Sequence, residues 1–217
     1  MNSIEEALMA VRAGGMVIVV DDEDRENEGD LVLAAQFATA DNIAFITRHG
    51  SGIICAPMTP EVADSLDLPL MVEKNTEAMT TAFTVSVDLI EGTSTGVSAH
   101  DRAATLRALA DPATKPHHLA RPGHVFPLRA RKAGVLERPG HTEASVDLCR
   151  HAGLTPVAVI CELVNDDGTM SRLPEIERFA RRFDLPLISI RDLIAYRMGR
   201  QTRFLQAANE VWAAWAA

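Results

Sequence analysis

Between Val20 and Asp30 the chain reads VDDEDRENEGD, with seven carboxylates and one arginine, and an apolar run lies on either side. Upstream, Met16-Val17-Ile18-Val19-Val20 is rich in β-branched residues and predicts a buried strand. Downstream, Leu31-Val32-Leu33-Ala34-Ala35 predicts a second one. A run of like charges usually marks a solvated face or a disordered tail. Held between two core strands, these carboxylates repel one another unless something positive sits among them. A cation, Arg25, or both would offset the charge.

The rest of the chain limits where such a loop can sit. A length of 217 residues suits one domain and a single good core. A hydrophobic content of 47% and a mean hydropathy of +0.03 fit a globular protein. No apolar run approaches the roughly 20 residues that span a bilayer. The N-terminus MNSIEEALMAVRAGG lacks the basic-then-apolar form of a secretory signal. Cys55, Cys149 and Cys161 are odd in number and form no CxxC pair, so a reducing, cytoplasmic setting is expected. A formal net charge of −9 argues against a general nucleic-acid binder.

Helix and strand signals are mixed along the chain. Ser3-Ile4-Glu5-Glu6 predicts a capping box, and Gly14-Gly15 ends the helix that follows. Thr39 predicts a cap for a helix to Arg48, and Thr59-Pro60 opens another. Further helices are expected over Ser98–Leu109, Gly140–Ala152, Pro174–Phe183 and Asp192–Met198. Strands are expected at Ser51–Cys55, Thr80–Val87, Val157–Glu162 and Leu187–Ile190. Leu68–Met79 and Asp111–Pro127 read as loops. Without strict βαβ alternation, the expected class is α+β: a single-domain, three-layer α/β/α sandwich on a mixed sheet.

Four further segments carry candidate chemistry. In Glu137-Arg138-Pro139-Gly140-His141-Thr142-Glu143, a Pro-Gly turn precedes a helix start, and the free N–H groups beside Arg138 suit a phosphate. His141 there fits a metal ligand, an acid–base group, or an ordinary cap with a surface histidine. Thr95-Gly96-Val97-Ser98-Ala99-His100-Asp101-Arg102 repeats the theme, but Ser-x-x-Asp alone is a common cap. His124 follows Pro122-Gly123, a usual place for a surface turn residue. Glu162 ends an apolar strand, either as a surface group or as a half-buried proton carrier. Cys55 reads better as a buried, inert thiol.

Taken together, DDEDRENEGD, STGVSAHDRA, RPGHVFPL, RPGHTEASVDL and ICELVNDDGTMSR occur in one order and spacing. In these motifs the chain resembles the 3,4-dihydroxy-2-butanone-4-phosphate synthases of riboflavin biosynthesis, from about Ile4 to about Arg197. The resemblance implies magnesium-dependent (or manganese-dependent) conversion of ribulose 5-phosphate to dihydroxybutanone phosphate and formate. It implies Glu26 and His141 as metal ligands and His124 and Glu162 as catalytic residues. It also implies substrate contacts from Arg25, Glu26, Asp30, Arg138, Pro139, Gly140, His141 and Thr142. Asp21, Glu28, Cys55, Thr95, Ser98 and Asp101 match family positions near the pocket. A homodimer is implied, with no nucleic-acid or membrane partner.

Some relatives carry a further domain with a zinc-binding cysteine set. No cysteine follows Cys161 here, so a monofunctional form is expected. The catalytic unit is expected over 1–200. The remaining 201–217 forms an expected helical tail, with Phe204, Ala208, Val211, Trp212 and Trp215 on one face. Two other readings stay open: a metal-dependent phosphosugar isomerase or aldolase using an enediol, and a non-catalytic nucleotide- or RNA-binding module. Formate release separates the first from the synthase. The acidic balance weighs against the second.

Overall fold

A computed structural model describes residues 1–200 and 202. The expected tail face lies outside the described residues. Helix α1 (Ile4–Arg12) starts at the Ser3/Glu6 capping box read from the sequence. Strands β1 (Val17–Val20) and β2 (Gly29–Ala34) follow, joined by the acidic loop. Next come α2 (Ala40–His49), capped by Thr39, then β3 (Cys55–Met58) and α3 (Pro60–Ser65), with Pro60 in its first turn. The chain continues through β4 (Val87–Leu89), α4 (Ala99–Ala110), β5 (Leu119–Arg129) and α5 (His141–Ala152). It closes with β6 (Ala158–Glu162), α6 (Leu173–Phe183), β7 (Leu187–Ser189) and a helix α7 over 190–200.

The strands form one seven-stranded mixed sheet in the order β4-β5-β3-β6-β2-β1-β7. The pairs β3–β5 and β1–β7 are parallel, and the other pairs are antiparallel. Successive residues of a strand point to opposite faces, and both faces here are covered, so the central strands read as unbroken apolar runs. Ile18, Leu31, Leu33, Val159 and Cys161 pack with α2, α4 and α6 on one face. Val17, Val19, Val32, Ala158 and Ile160 pack with α1, α5 and α7 on the other. The result is the expected three-layer α+β sandwich. Among the described residues no helix is long and apolar enough to cross a membrane.

Three local expectations are corrected. The segment 111–127 is not all loop: its second half enters the 11-residue β5, which carries Pro122 and Pro127. Proline is costly in a central strand but tolerated near an edge or a bulge. β5 has only the three-residue β4 outside it, and their register shifts at Val87/Asp88. The strand expected at Ser51–Cys55 begins only at Cys55, where it pairs with Phe126 and Ile160. The strand expected over Thr80–Val87 is reduced to bridges at Phe83 and Thr84, with ladder pairing only from Val87.

Candidate active site

The β2–β6 register sets Asp30 beside Glu162 at one end of the sheet. Both fall on the face that carries Val32 and Ile160, under the start of α5. Val20 pairs with Gly29, so loop 21–28 closes a hairpin over the same end. Asp21 folds that loop: its carboxylate accepts the backbone N–H of Glu26 at 3.0 Å and of Glu28 at 2.9 Å. Arg25 ion-pairs with Asp21 at 2.9 Å and with Glu26. The positive group expected among the carboxylates is therefore present in the loop itself.

α5 brings His141 to this loop. Its Nδ1 lies 3.3 Å from Glu26 Oε2 and 4.0 Å from Asp30 Oδ1. Burial disfavours the imidazolium, but Asp30, Glu26 and Asp21 outweigh it and push the His141 pKa up to about 9. Burial also opposes ionisation of Glu26. The His141 hydrogen bond and the Arg25 charge reverse that and bring it to about 2. Asp30 is raised to about 7, by burial first and by the neighbouring acids Glu162 and Glu26 against the pull of His141.

Asp21, Glu26 and His141 offer ligand atoms within 4.8 Å of one another, a geometry that can hold a metal ion. Asp30 Oδ1 and His141 Nε2 are buried without hydrogen-bond partners among the described residues. Buried polar atoms of that kind call for a ligand, water or ion. Oxygen donors with one imidazole suit magnesium or manganese.

An anion cradle adjoins this cluster. Gly140 is the N-cap of α5 and has no side chain to cap the first turn. A Cβ there would lie 2.3 Å from Arg138 Nη1 and 3.0 Å from Arg25 Nη2, so glycine lets two guanidinium groups approach the helix N-terminus. Unpaired N–H groups and the helix dipole favour negative charge at such a point. Arg138 is aimed by the buried Glu143, 2.7 Å away, and donates to Met79 O at 2.9 Å and to Thr81 Oγ1 at 3.2 Å. Glu143 also accepts the Arg131 N–H at 2.9 Å.

The resulting cleft of about 220 Å³ is lined by residues from the acidic loop (Arg25, Glu26, Glu28), the strand ends (Asp30, Cys55, Glu162) and the α5 start (Arg138, His141, Thr142). Glu77, Thr81 and Phe83 close one side. Pro139 is exposed and does not line the cleft. Ser51 donates to Glu162 Oε2 at 2.5 Å. Cys55 is 3% exposed, and burial raises its thiol well above the ordinary range. Burial likewise pushes Cys149 to about 12 and Cys161 to about 11. Native protein at about pH 8 should therefore give no fast reaction with an aromatic disulfide reagent, whereas unfolding should release all three thiols. A fast-reacting thiol in the folded protein would contradict this burial.

His124 belongs to a second constellation that does not line the cleft. Its Nδ1 is 2.7 Å from Asp88 Oδ2, and its backbone N–H donates to Asp88 Oδ1 at 2.9 Å. The loop holding Thr95, cap residue Ser98 and Asp101 packs beside it. Gly96 has φ +87°, and a Cβ there would fall 2.0 Å from the Asp88 carboxylate. Asp101 accepts from the Ser94 hydroxyl at 2.7 Å and from the N–H groups of Ser94 and Gly96, each at 3.1 Å. Hydrogen bonding from Ser94 above all holds it far below the usual carboxylate range.

Sequence reasoning missed Asp88, Ser51, Glu77 and the aiming role of Glu143. Glu143 stood within a recognised motif. Asp88 and Ser51 carried no local signal, because their partners His124 and Glu162 are remote in sequence, and Glu77 stood in a segment read as plain loop.

A mixed-sheet α+β protein with a carboxylate–imidazole cluster beside an arginine-lined helix N-terminus has the form of an enzyme for small anionic substrates. The model of the 3,4-dihydroxy-2-butanone 4-phosphate synthase family matches residues 5–196, and the chain belongs to that family. A curated relative from Agrobacterium fabrum, 3,4-dihydroxy-2-butanone 4-phosphate synthase, is 57% identical over 196 residues, covering 90% of this chain and 92% of its own. Riboflavin biosynthesis protein RibBA of Salinispora arenicola is 60% identical over 196 residues, and there the chain spans only 47% of the relative's length. A solved 3,4-dihydroxy-2-butanone 4-phosphate synthase in complex with two magnesium ions superposes with a TM-score of 0.90 at 47% identity, covering 93% of this chain and 99% of that one.

Proposed function

We propose that this chain converts ribulose 5-phosphate to 3,4-dihydroxy-2-butanone 4-phosphate and formate, with magnesium or manganese held by Glu26 and His141. The observation that carries the reading is the meeting of Glu26, His141 and Asp21 within 4.8 Å, beside Arg138 and the start of α5. Asp21 is an addition to the ligand set read from the sequence. When bound, the cation supplies Lewis-acid stabilisation of charge on neighbouring sugar oxygens.

The protein's own groups divide the remaining work. Arg138, Thr142 and the N–H groups opening α5 hold the phosphate. Arg25, Glu26 and Asp30 face the sugar end. Glu162, oriented by Ser51, accepts the proton from the carbon next to the ketone, giving an enediol. Loss of water and a skeletal shift follow; a water then adds at the displaced carbonyl, and C4 departs as formate. His124 acts as the second proton carrier. Asp88 at Nδ1 fixes its ring orientation and leaves the other nitrogen to work.

The separation of His124 from the cleft supports a homodimer in which His124 serves the neighbouring chain's pocket. Ile53, Leu70, Met71, Val72, Ile90 and Val97 are large apolar side chains about half exposed, and they suit a face covered by a second copy. A mixed dimer of Glu26→Ala and His124→Ala chains tests the sharing. One of its two pockets keeps both wild-type residues, so activity absent from either parent should return. A mixed sample as inactive as its parents would contradict shared sites.

The function is tested by incubating the protein with ribulose 5-phosphate and magnesium and assaying formate. Formate accompanied by a four-carbon phosphate is the expected result. Pentose phosphate isomers or aldol fragments without formate would favour the isomerase or aldolase reading instead. The three buried, unpaired cysteines support a reducing, cytoplasmic setting.

A further inference from the structure

Among the described residues, three guanidinium groups reach loop 21–28. Arg25 acts from within it. Arg191 of α7 lies 2.6 Å from Asp22, but both side chains are more than half exposed, which makes a weak pair. Arg172 differs, because it reaches the main chain. Its Nη1 donates to the carbonyl of Glu26 at 2.9 Å and also to that of Asn27. Glu28 Oε1 is 3.9 Å away. Asn27 has φ +54°, so the turn directly after Glu26 uses left-handed backbone that most side chains disfavour. One nitrogen gathers two successive carbonyls at that turn.

The root of Arg172 is well anchored. It is the N-cap residue of α6, and its own N–H donates to Glu175 Oε2 at 3.3 Å. One turn on, Ile176 is buried in the core. The segment before it is tied to β2: Leu163 N–H donates to Gly29 O at 2.8 Å, and Ser171 N–H to Leu163 O at 3.0 Å.

We propose that Arg172 is a positioning residue for the acidic loop. By holding the Glu26 and Asn27 carbonyls it aims the Glu26 carboxylate at His141 and so sets the cation affinity of the pair. This rests on the reading of Glu26 and His141 as cation ligands. Groups that orient metal ligands from behind typically change affinity by about 10–100-fold when removed.

The test measures Mn²⁺ binding to metal-free protein by electron paramagnetic resonance, and amide hydrogen exchange over residues 21–28. Arg172→Met keeps an apolar stem and loses the donor. It should weaken Mn²⁺ binding by about 10-fold or more and speed exchange in the loop while leaving β1 and β2 protected. Arg172→Lys guards against a folding failure. Its ammonium ends one bond short of Nη1, so it should restore charge near Glu28 but only part of the affinity and loop protection. Wild-type affinity and exchange in the methionine variant would overturn the proposal, and so would full restoration by lysine, which would leave charge alone as the cause. Wild-type protein that neither binds Mn²⁺ nor releases formate would instead sink the reading of the site, while the exchange measurement would still judge the clamp.

Discussion

Removal of divalent cations with EDTA is expected to abolish formate release, and magnesium or manganese should restore it. The physical reason is the charge balance of the cleft. Asp21, Glu26, Glu28, Asp30, Glu77 and Glu162 converge around one imidazole and two arginines. Asp30 Oδ1 and His141 Nε2 are buried with no partner among the described residues. Leaving such atoms unsatisfied costs about 1–3 kcal/mol each, which a cation and its waters would offset. Full activity in a thoroughly stripped sample would remove Glu26 and His141 from the role of ligands.

The second large effect concerns proton transfer. Glu162→Gln and His124→Ala should each lower turnover by roughly 10²-fold or more, the usual loss when acid–base help disappears. Neither change should unfold the protein. Glu162 sits at a strand end with Ser51 as its hydrogen-bond partner, and His124 is half exposed at 49%. Circular dichroism and thermal midpoints close to wild type would confirm that the loss is chemical. Near wild-type formate release from either variant would show that the residue is structural.

Much of this candidate site was legible because its residues are concentrated in short segments. The acidic loop announced itself by placing seven carboxylates between two strands. The Glu137–Glu143 segment combined a turn, a helix start and an arginine, and the structure brings His141 to Glu26 of the loop and Arg138 to the helix start. Capping residues Ser3, Thr39, Thr59 and Ser98 marked helix starts well, since a cap is a local hydrogen bond.

What stayed hidden depends on pairing across the chain. β5 was obscured by Pro122 and Pro127, whose tolerance comes from a short, bulged neighbour that sequence pattern does not reveal. Ser51 meets Glu162 across 111 positions, and Arg172 meets Glu26 across 146. Asp88 lies in a three-residue strand with no motif around it, yet it supplies two acceptors to His124. Such partners become visible only once sheet order is known.

Excision of one carbon from a pentulose phosphate separates this reaction from isomerisation and aldol cleavage. Ribulose 5-phosphate carrying ¹³C at C4, incubated with the protein and magnesium and followed by ¹³C NMR, tests it most directly. The label is expected in formate, with the four-carbon phosphate unlabelled. Label retained in a sugar phosphate, with no labelled formate, would contradict it.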